Sequence, residues 1–187
     1  GIPGTVGGAL VGNAGCYGRE IGDFLQEATV LRADGRVELL GPADFAFSYR
    51  GSALKERGDV VVELVLALAR GELEAARRER DEHLADRRRK HPWNIPCAGS
   101  YFKNLPPAAP GEWRRPAGRL LEEAGCKGMR EGGAEVFEKH ANIIVNRGGA
   151  TSRDVLARAE RMTQAVRERF GEELEEEVRH LVTPDRG

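Results

Sequence analysis

Residues 1–18 read GIPGTVGGALVGNAGCYG, with glycine at positions 1, 4, 7, 8, 12, 15 and 18. So much glycine supplies little side-chain area, and the stretch reads as a loop, a short turn of helix and a second loop, too glycine-rich for a core element. What it supplies is backbone. Without Cβ atoms, successive N–H groups can turn toward one concave point, and Thr5 and Asn13 add side-chain donors suited to a phosphate. The spacing is not G-x-G-x-x-G and does not end in Gly-Lys-Ser/Thr, so neither a dinucleotide fingerprint nor a P-loop is present. A tight turn between strands also accounts for it.

Working outward, Ala28 to Leu31 and Val37 to Leu40 flank Asp34-Gly35, a hairpin signal. Phe45, Phe47 and Tyr49 alternate with small or polar residues as on a half-buried strand, which puts Tyr49-Arg50 at a strand end. Val60 to Leu68 adds a β-branched run, so residues 1–70 are expected to be mainly β with turns. From Glu72 to Lys90 the composition shifts to Ala, Leu, Glu and Arg, and Leu73, Ala76 and Leu84 are spaced to share one helical face. The last turn, Arg87 to Lys90, either caps the helix dipole or offers an anion site. Pro92 and Pro96 end the helix.

Beyond them, Ala98-Gly99-Ser100-Tyr101-Phe102-Lys103-Asn104 reads as a proline-bounded loop able to present Ser100 to a ligand, or as an ordinary turn. No Gly-x-Ser-x-Gly elbow is present and no histidine lies close in sequence, so a hydrolase triad is poorly supported. Ala117 to Ala124 predicts a helix with Leu120 and Leu121 inward and Gly125 as its C-terminal cap. Ile143 to Val145 reads as a buried strand. Thr151 or Ser152 starts a longer helix whose stripe is Val155, Leu156, Ala159, Met162, Val166 and Phe170, ended by Gly171. The acidic run Glu172 to Glu177 leads into a final strand to Val182, on which alternation places Glu177 and Arg179 on one side. Singly, Arg50 and the Glu177/Arg179 pair read as readily as surface ion pairs as they do as a carboxylate clamp.

The whole-chain counts exclude several classes. The 187 residues carry 29 Lys+Arg against 30 Asp+Glu, a net charge of −1, so no global field steers the molecule toward nucleic acid or an anionic membrane. The apolar stretch around Val60 to Ala69 is interrupted by Glu63 and far short of a bilayer, so no membrane-spanning helix is expected. Cys16, Cys97 and Cys126 form no CxxC pair, which argues against a disulfide framework and for a reducing, cytoplasmic setting. His83, His91, His140 and His180 lack zinc spacing, so no metal is expected.

Taken in order, GIPGTVGGALVGNAGCYG, FSYRGS, CAGSYFKN, AGRLLEEAGCKG, GGAEVFEKHANIIVN and LEEEVR resemble the UDP-N-acetylenolpyruvoylglucosamine reductase (MurB) family of peptidoglycan precursor synthesis. The resemblance spans nearly the whole chain and outweighs the blander readings of each piece. It implies an α+β chain. Residues 1–70 would be the C-terminal half of a two-part FAD-binding domain (VAO/PCMH-like), and residues 71–187 a MurB-type substrate domain. The family's first flavin subdomain would lie upstream of Gly1, in keeping with a chain that opens without Met. The activity implied is FAD-dependent reduction of the enol ether of a UDP-sugar at the expense of NADPH, with no nucleic-acid or membrane partner.

By the same resemblance Ser100 matches the family's proton donor, Arg50 its catalytic arginine and Glu177 its catalytic glutamate. Gly4, Thr5, Gly7, Gly8, Asn13, Ala14, Gly15 and Tyr17 match flavin-binding positions. Tyr49, Lys90, Asn104 and Lys127 match substrate positions, the last two near the diphosphate, and His140 the position beside the uracil. A Tyr-bearing insertion of one subtype is missing between Leu68 and Lys90, which implies the shorter subtype, and Leu105 stands where a proline commonly follows the Asn. Two alternatives accompany this reading: another flavin oxidoreductase sharing the binding domain, and a non-catalytic remnant that binds a UDP-sugar.

Overall fold

A threonine starts the first helix. Thr5 is extended (φ −91°, ψ 156°) and its Oγ1 accepts a hydrogen bond from the Gly8 amide at 3.1 Å, opening α1 (Val6–Val11). These are among residues 2–181, which the structure, a computed structural model, describes. Leu10 is fully buried and Val11 packs beside it. The glycine-rich stretch therefore does feed the core, because the cap sets Ala9-Leu10-Val11 on one helical turn. The chain is α+β and divides into two compact units, Gly1–Asp81 and Glu82–Gly187.

In the first unit, β1 (Gly15–Cys16) and β2 (Arg19–Glu20) form a tight hairpin, turned by Tyr17 (φ 52°) and Gly18 (φ 77°). Two positive φ values at the turn centre match the twist of the strands. A 3-10 turn over Ile21–Phe24 leads to β3 (Leu25–Leu31), the middle of a sheet in the order β4-β3-β5 with β4 (Val37–Leu40) and β5 (Val60–Leu66), all antiparallel. The Asp34-Gly35 hairpin forms as expected, with Gly35 at φ 88° and the Arg32 amide bonded to the Arg36 carbonyl at 2.8 Å. Leu25, Ala28, Val30 and Leu40 face a core completed by Leu10, Phe45 and Leu54. Each such large apolar side chain contributes roughly 1.5–3 kcal/mol by leaving water.

The strand expected at Phe45–Tyr49 does not form. Pro42 opens a turn of helix, α2 (Pro42–Phe45), and Ala46 then adopts the left-handed conformation (φ 42°). Phe45 and Phe47 stack at 5.1 Å. Tyr49 and Arg50 occupy a turn in which the Ser48 and Gly51 amides bond each other's carbonyls at 3.0 and 3.1 Å, so they do not end a strand. After α3 (Leu54–Arg57) and β5 comes α4 (Leu73–Lys90), across which the division between units falls. None of its residues is buried, so the predicted Leu73-Ala76-Leu84 face reaches no core. Charged side chains dominate the helix and leave it too little apolar surface.

The second unit holds a four-stranded sheet, β6-β9-β8-β7, made of β6 (Cys97–Ser100), β7 (Arg130–Glu131), β8 (Ala134–Val136) and β9 (Ile143–Asn146). The expected loop at Ala98–Asn104 is thus an edge strand that runs into two buried aromatics, Tyr101 and Phe102. Gly99 (φ 81°) supplies the left-handed residue at the bulge between the Cys97–Val145 and Ser100–Ile143 pairs. Helix α5 (Ala117–Glu123) buries Leu121 and is followed by Gly125 at φ 77°, as predicted. Helix α6 (Ser152–Phe170) begins at Thr151, whose Oγ1 accepts from Asp154 N–H while Asp154 accepts from Thr151 N–H, and it ends at Gly171 (φ 69°). Of its predicted stripe Ala159, Met162 and Val166 are buried, whereas Leu156 is exposed. Buried Ile143 and Val145 lie on β9, as read.

The final strand is absent up to residue 181. After α6 an extended strap makes one bridge, Glu176 to Phe102, and bends at Val178, which packs on the core. The alternation that put Glu177 and Arg179 on one side therefore does not apply. Val182, its predicted end, lies outside the described residues.

Candidate active site

In the first unit the glycine loop is wired from within. Asn13 is buried at φ 45°, a left-handed conformation Asn tolerates. Its Nδ2 donates to Glu20 Oε2 at 2.6 Å and to the Ser48 carbonyl at 3.0 Å, and its Oδ1 accepts from the Gly22 amide at 3.1 Å. The amide expected to face a phosphate instead ties α1, the β1–β2 hairpin and the Tyr49 turn together. Glu20, its partner, carries no motif, and only its place one hairpin away from Asn13 hints at the pairing. Ala14 and Gly15 continue the wiring, for Ile21 N–H bonds the Ala14 carbonyl at 3.0 Å.

Arg50 joins this cluster. One guanidinium nitrogen donates to the Gly15 carbonyl at 3.1 Å, and the guanidinium lies 4.8 Å from the centre of the Tyr49 ring. Lys55 Nζ donates to the Arg50 carbonyl at 2.9 Å, holding a non-glycine residue at φ 58°. The unit therefore brings Tyr49 and Arg50 to the loop carrying Asn13, Ala14 and Gly15. Gly4, Thr5, Gly8 and Tyr17 are exposed, Gly7 is half-buried, and a Cβ built on Gly4 would meet no atom within 4 Å. At Gly4 the loop backbone is open, which leaves room there for a flat ligand such as a flavin.

In the second unit, Ser100 is half-buried at the end of β6, opposite Ile143. Directly after it, the Tyr101 carbonyl accepts from the Glu177 amide at 2.8 Å, and the Lys103 amide donates to the Glu175 carbonyl at 2.8 Å. Ser100 and Glu177 are thus brought onto neighbouring antiparallel segments. Lys103 Nζ also pairs with the Glu175 carboxylate. The Tyr101 hydroxyl is buried beside Glu176 without a hydrogen bond of ordinary geometry; burial first, and the Glu176 carboxylate second, push it up to about 12. His180 Nε2 lies 2.6 Å from Glu176 Oε2. Sequence reasoning missed Tyr101 and Glu176, whose only signal was adjacency to Ser100 and Glu177.

The substrate candidates of this unit fall into two groups. Asn104 Oδ1 accepts from the Ala117 amide at 3.2 Å, at the start of α5, and its carbonyl accepts from Arg114 at 2.8 and 3.1 Å. Lys127 pairs with Glu122, and Lys90 Nζ lies 2.9 Å from Asp86, which also takes Arg89. The basic helix end is therefore partly neutralised by its own acid. His140 packs against His91, ring centres 5.0 Å apart. Burial is the main cause lowering both imidazoles, His91 to about 4. His91, unassigned from sequence, was flagged only by its place between Lys90 and Pro92.

Among the described residues no helix is long and apolar enough to cross a membrane, and no three His, Cys, Asp or Glu side chains cluster to hold a metal ion. Residues 91–181 match the family model for the C-terminal domain of UDP-N-acetylenolpyruvoylglucosamine reductase. UDP-N-acetylenolpyruvoylglucosamine reductase 2 of Symbiobacterium thermophilum is 48% identical over 181 residues, 95% of this chain and 56% of its own length. A Streptococcus pneumoniae reductase is 44% identical over 97% of this chain and 58% of its own. The crystal structure of UDP-N-acetylenolpyruvylglucosamine reductase (MurB) from Thermus caldophilus superposes with a TM-score of 0.78 at 37% identity, covering 95% of this chain and 60% of that one. The chain thus spans little more than half the length of the curated relatives it matches, and it belongs to the UDP-N-acetylenolpyruvoylglucosamine reductase family.

Proposed function

We propose that this chain is part of an enzyme that reduces UDP-N-acetylenolpyruvoylglucosamine at the expense of NADPH. In this reading residues 1–70 are the second half of a two-part FAD-binding domain and residues 71–187 the substrate domain. One observation carries it: the Glu177 amide bonds the Tyr101 carbonyl at 2.8 Å, beside Ser100, so a carboxyl and a hydroxyl sit on adjacent backbones. That is the pair needed to reduce an enol ether next to a carboxylate. When bound, the flavin takes reducing equivalents from NADPH and supplies hydride to the vinyl group.

The chain's own residues would do the rest. Addition at the terminal vinyl carbon pushes charge into the neighbouring carboxylate, which needs preorganised donors and a cation. Arg50, directed by its bond to Gly15, supplies the guanidinium. Glu177 would act on the same group. Ser100 gives its proton to the other carbon; a hydroxyl is acidic enough only beside so basic a carbanion. Gly4, Thr5, Gly7, Gly8, Ala14, Gly15 and Tyr17 would lie along the flavin, with Asn13 holding their loop in shape. Asn104 and Lys127 would lie near the diphosphate, Lys90 and Tyr49 would be further substrate contacts, and His140 would lie beside the uracil.

The test is a half-reaction. In the flavin-loaded enzyme, Ser100→Ala should leave flavin reduction by NADPH intact and slow reoxidation by the enolpyruvyl substrate by orders of magnitude. Equal reoxidation rates in the two proteins would remove Ser100 from the mechanism.

A further inference from the structure

His140 is enclosed from several sides. Its amide bonds the Phe137 carbonyl at 3.1 Å and its carbonyl takes the Ile143 amide at 3.0 Å, which pins it in the turn between β8 and β9. Gly118 of α5 closes one side, since a Cβ there would stand 3.4 Å from His140 Cε1. His140 Nδ1 is sealed from solvent and bonds no other residue. The His91 ring lies against another side, tilted 38° to it at 5.0 Å. His91 is itself held, its amide bonded to the Arg87 carbonyl at 2.8 Å at the end of α4.

We propose that His91 is a positioning residue for His140: it fixes that ring by stacking on it and shuts water away from it, thereby setting which hydrogen bonds the nucleobase position can offer. The inference rests on the reading of His140 as the uracil neighbour. The charged groups facing the pair are Asp86, Arg87 and Lys90 from α4, with Glu122 and Lys127 from α5 and the loop after it. Burial first, and cations after it, disfavour the protonated rings, so His140 is neutral at pH 7. A neutral imidazole offers one donor and one acceptor, whereas an imidazolium can only donate. Uracil presents an N–H donor between two carbonyl acceptors, and only the neutral ring can accept from that N–H. Arg87 and Lys127 supply positive charge nearby, so the imidazole need not carry any.

The sign follows from the structure. Removing the His91 ring admits water, and that raises the His140 pKa toward its ordinary value. Histidine titrations by NMR on the intact chain would be run for the wild type, His91→Ala and His91→Phe, with calorimetric UDP binding at pH 7.5 and 6. The His140 midpoint should lie below its ordinary value in the wild type and in His91→Phe, which keeps a ring against it. In His91→Ala its midpoint should move up toward about 6.5 and UDP affinity should fall roughly fourfold between the two pH values, the loss of neutral imidazole at that midpoint. A wild-type His140 that titrates at about 6.5, or one indifferent to His91→Ala, overturns the proposal. UDP that fails to bind while the titrations move as expected overturns the nucleobase reading instead.

Discussion

Replacing Asn13 with Ala should cost the first unit about 5 kcal/mol, a large share of the ~5–15 kcal/mol that holds a typical domain together. Three hydrogen bonds are lost: to Glu20 at 2.6 Å, to Ser48 at 3.0 Å and from Gly22 at 3.1 Å. The charged one contributes roughly 1.5–3 kcal/mol and the other two about 1 kcal/mol each. Alanine at φ 45° adds about 1 kcal/mol of backbone strain. Asn13→Gly makes the same deletions without the strain and should cost about 4 kcal/mol, so the difference isolates the backbone contribution. Tryptophan fluorescence cannot read this, because Trp93 and Trp113 both belong to the Glu82–Gly187 unit. Native-state hydrogen exchange at the amides of β3 can, and it should show both variants opening with the second unit unchanged. A cost of under ~1 kcal/mol for both variants would mean that the Asn13 amide does not hold the glycine loop, and the wiring described for it would be wrong.

Two further outcomes concern the second unit, where Trp fluorescence serves. Gly133→Ala should lower stability by roughly 3 kcal/mol, since its Cβ would stand 2.4 Å from both the Ala150 nitrogen and the Gly148 carbonyl oxygen, backbone atoms that cannot swing away; an unchanged urea midpoint would mean the turn is not pressed against that loop. Glu135, only 4% exposed, pairs with Arg147 at 2.9 Å and Arg130 at 2.6 Å, and the Arg147 bond first of all holds its carboxyl below the usual range. Its folded-state pKa is depressed, so its stabilisation is present above the unfolded value of about 4.3 and is lost as pH falls through the folded one. Glu135→Gln should flatten that acid limb, and an identical limb in the variant would show that other carboxylates cause it.

What the sequence made legible was local. The Asp34-Gly35 hairpin and the Thr151-to-Gly171 helix each rest on residues whose turn or cap chemistry acts within a few positions, and both form. One cause the letters do not carry is a non-glycine residue at positive φ, as at Asn13, Ala46 and Arg50. Ala46 alone defeats the Phe45–Tyr49 alternation, and nothing about an alanine announces a left-handed turn. The edge strand at Cys97–Ser100 was hidden by Gly99, which reads as a loop breaker and serves as a bulge. At the candidate site, the Ser100 loop and the Glu177/Arg179 pair stood out singly, but their approach did not, because it depends on a long-range bridge between Phe102 and Glu176 that no local pattern encodes. His91 stayed invisible because stacking on His140 has no spacing signature.

The polar side chains of the glycine loop are engaged within the unit. Thr5 caps α1, Asn13 bonds three partners inside the unit, and the Gly15 carbonyl takes Arg50. Those side chains fix where the backbone goes and leave Gly4, Gly8 and Tyr17 exposed. Arg50 obeys the same logic. A left-handed arginine is strained by about 1 kcal/mol, and such strain persists only where the surroundings over-determine it. Here the Ser48–Gly51 turn, Lys55 Nζ on its carbonyl and the Gly15 carbonyl on its guanidinium do so together. A residue held at its backbone and at its guanidinium loses little freedom on meeting a carboxylate, so in the proposed reading the strained turn would seat a substrate clamp better than the strand end the sequence suggested.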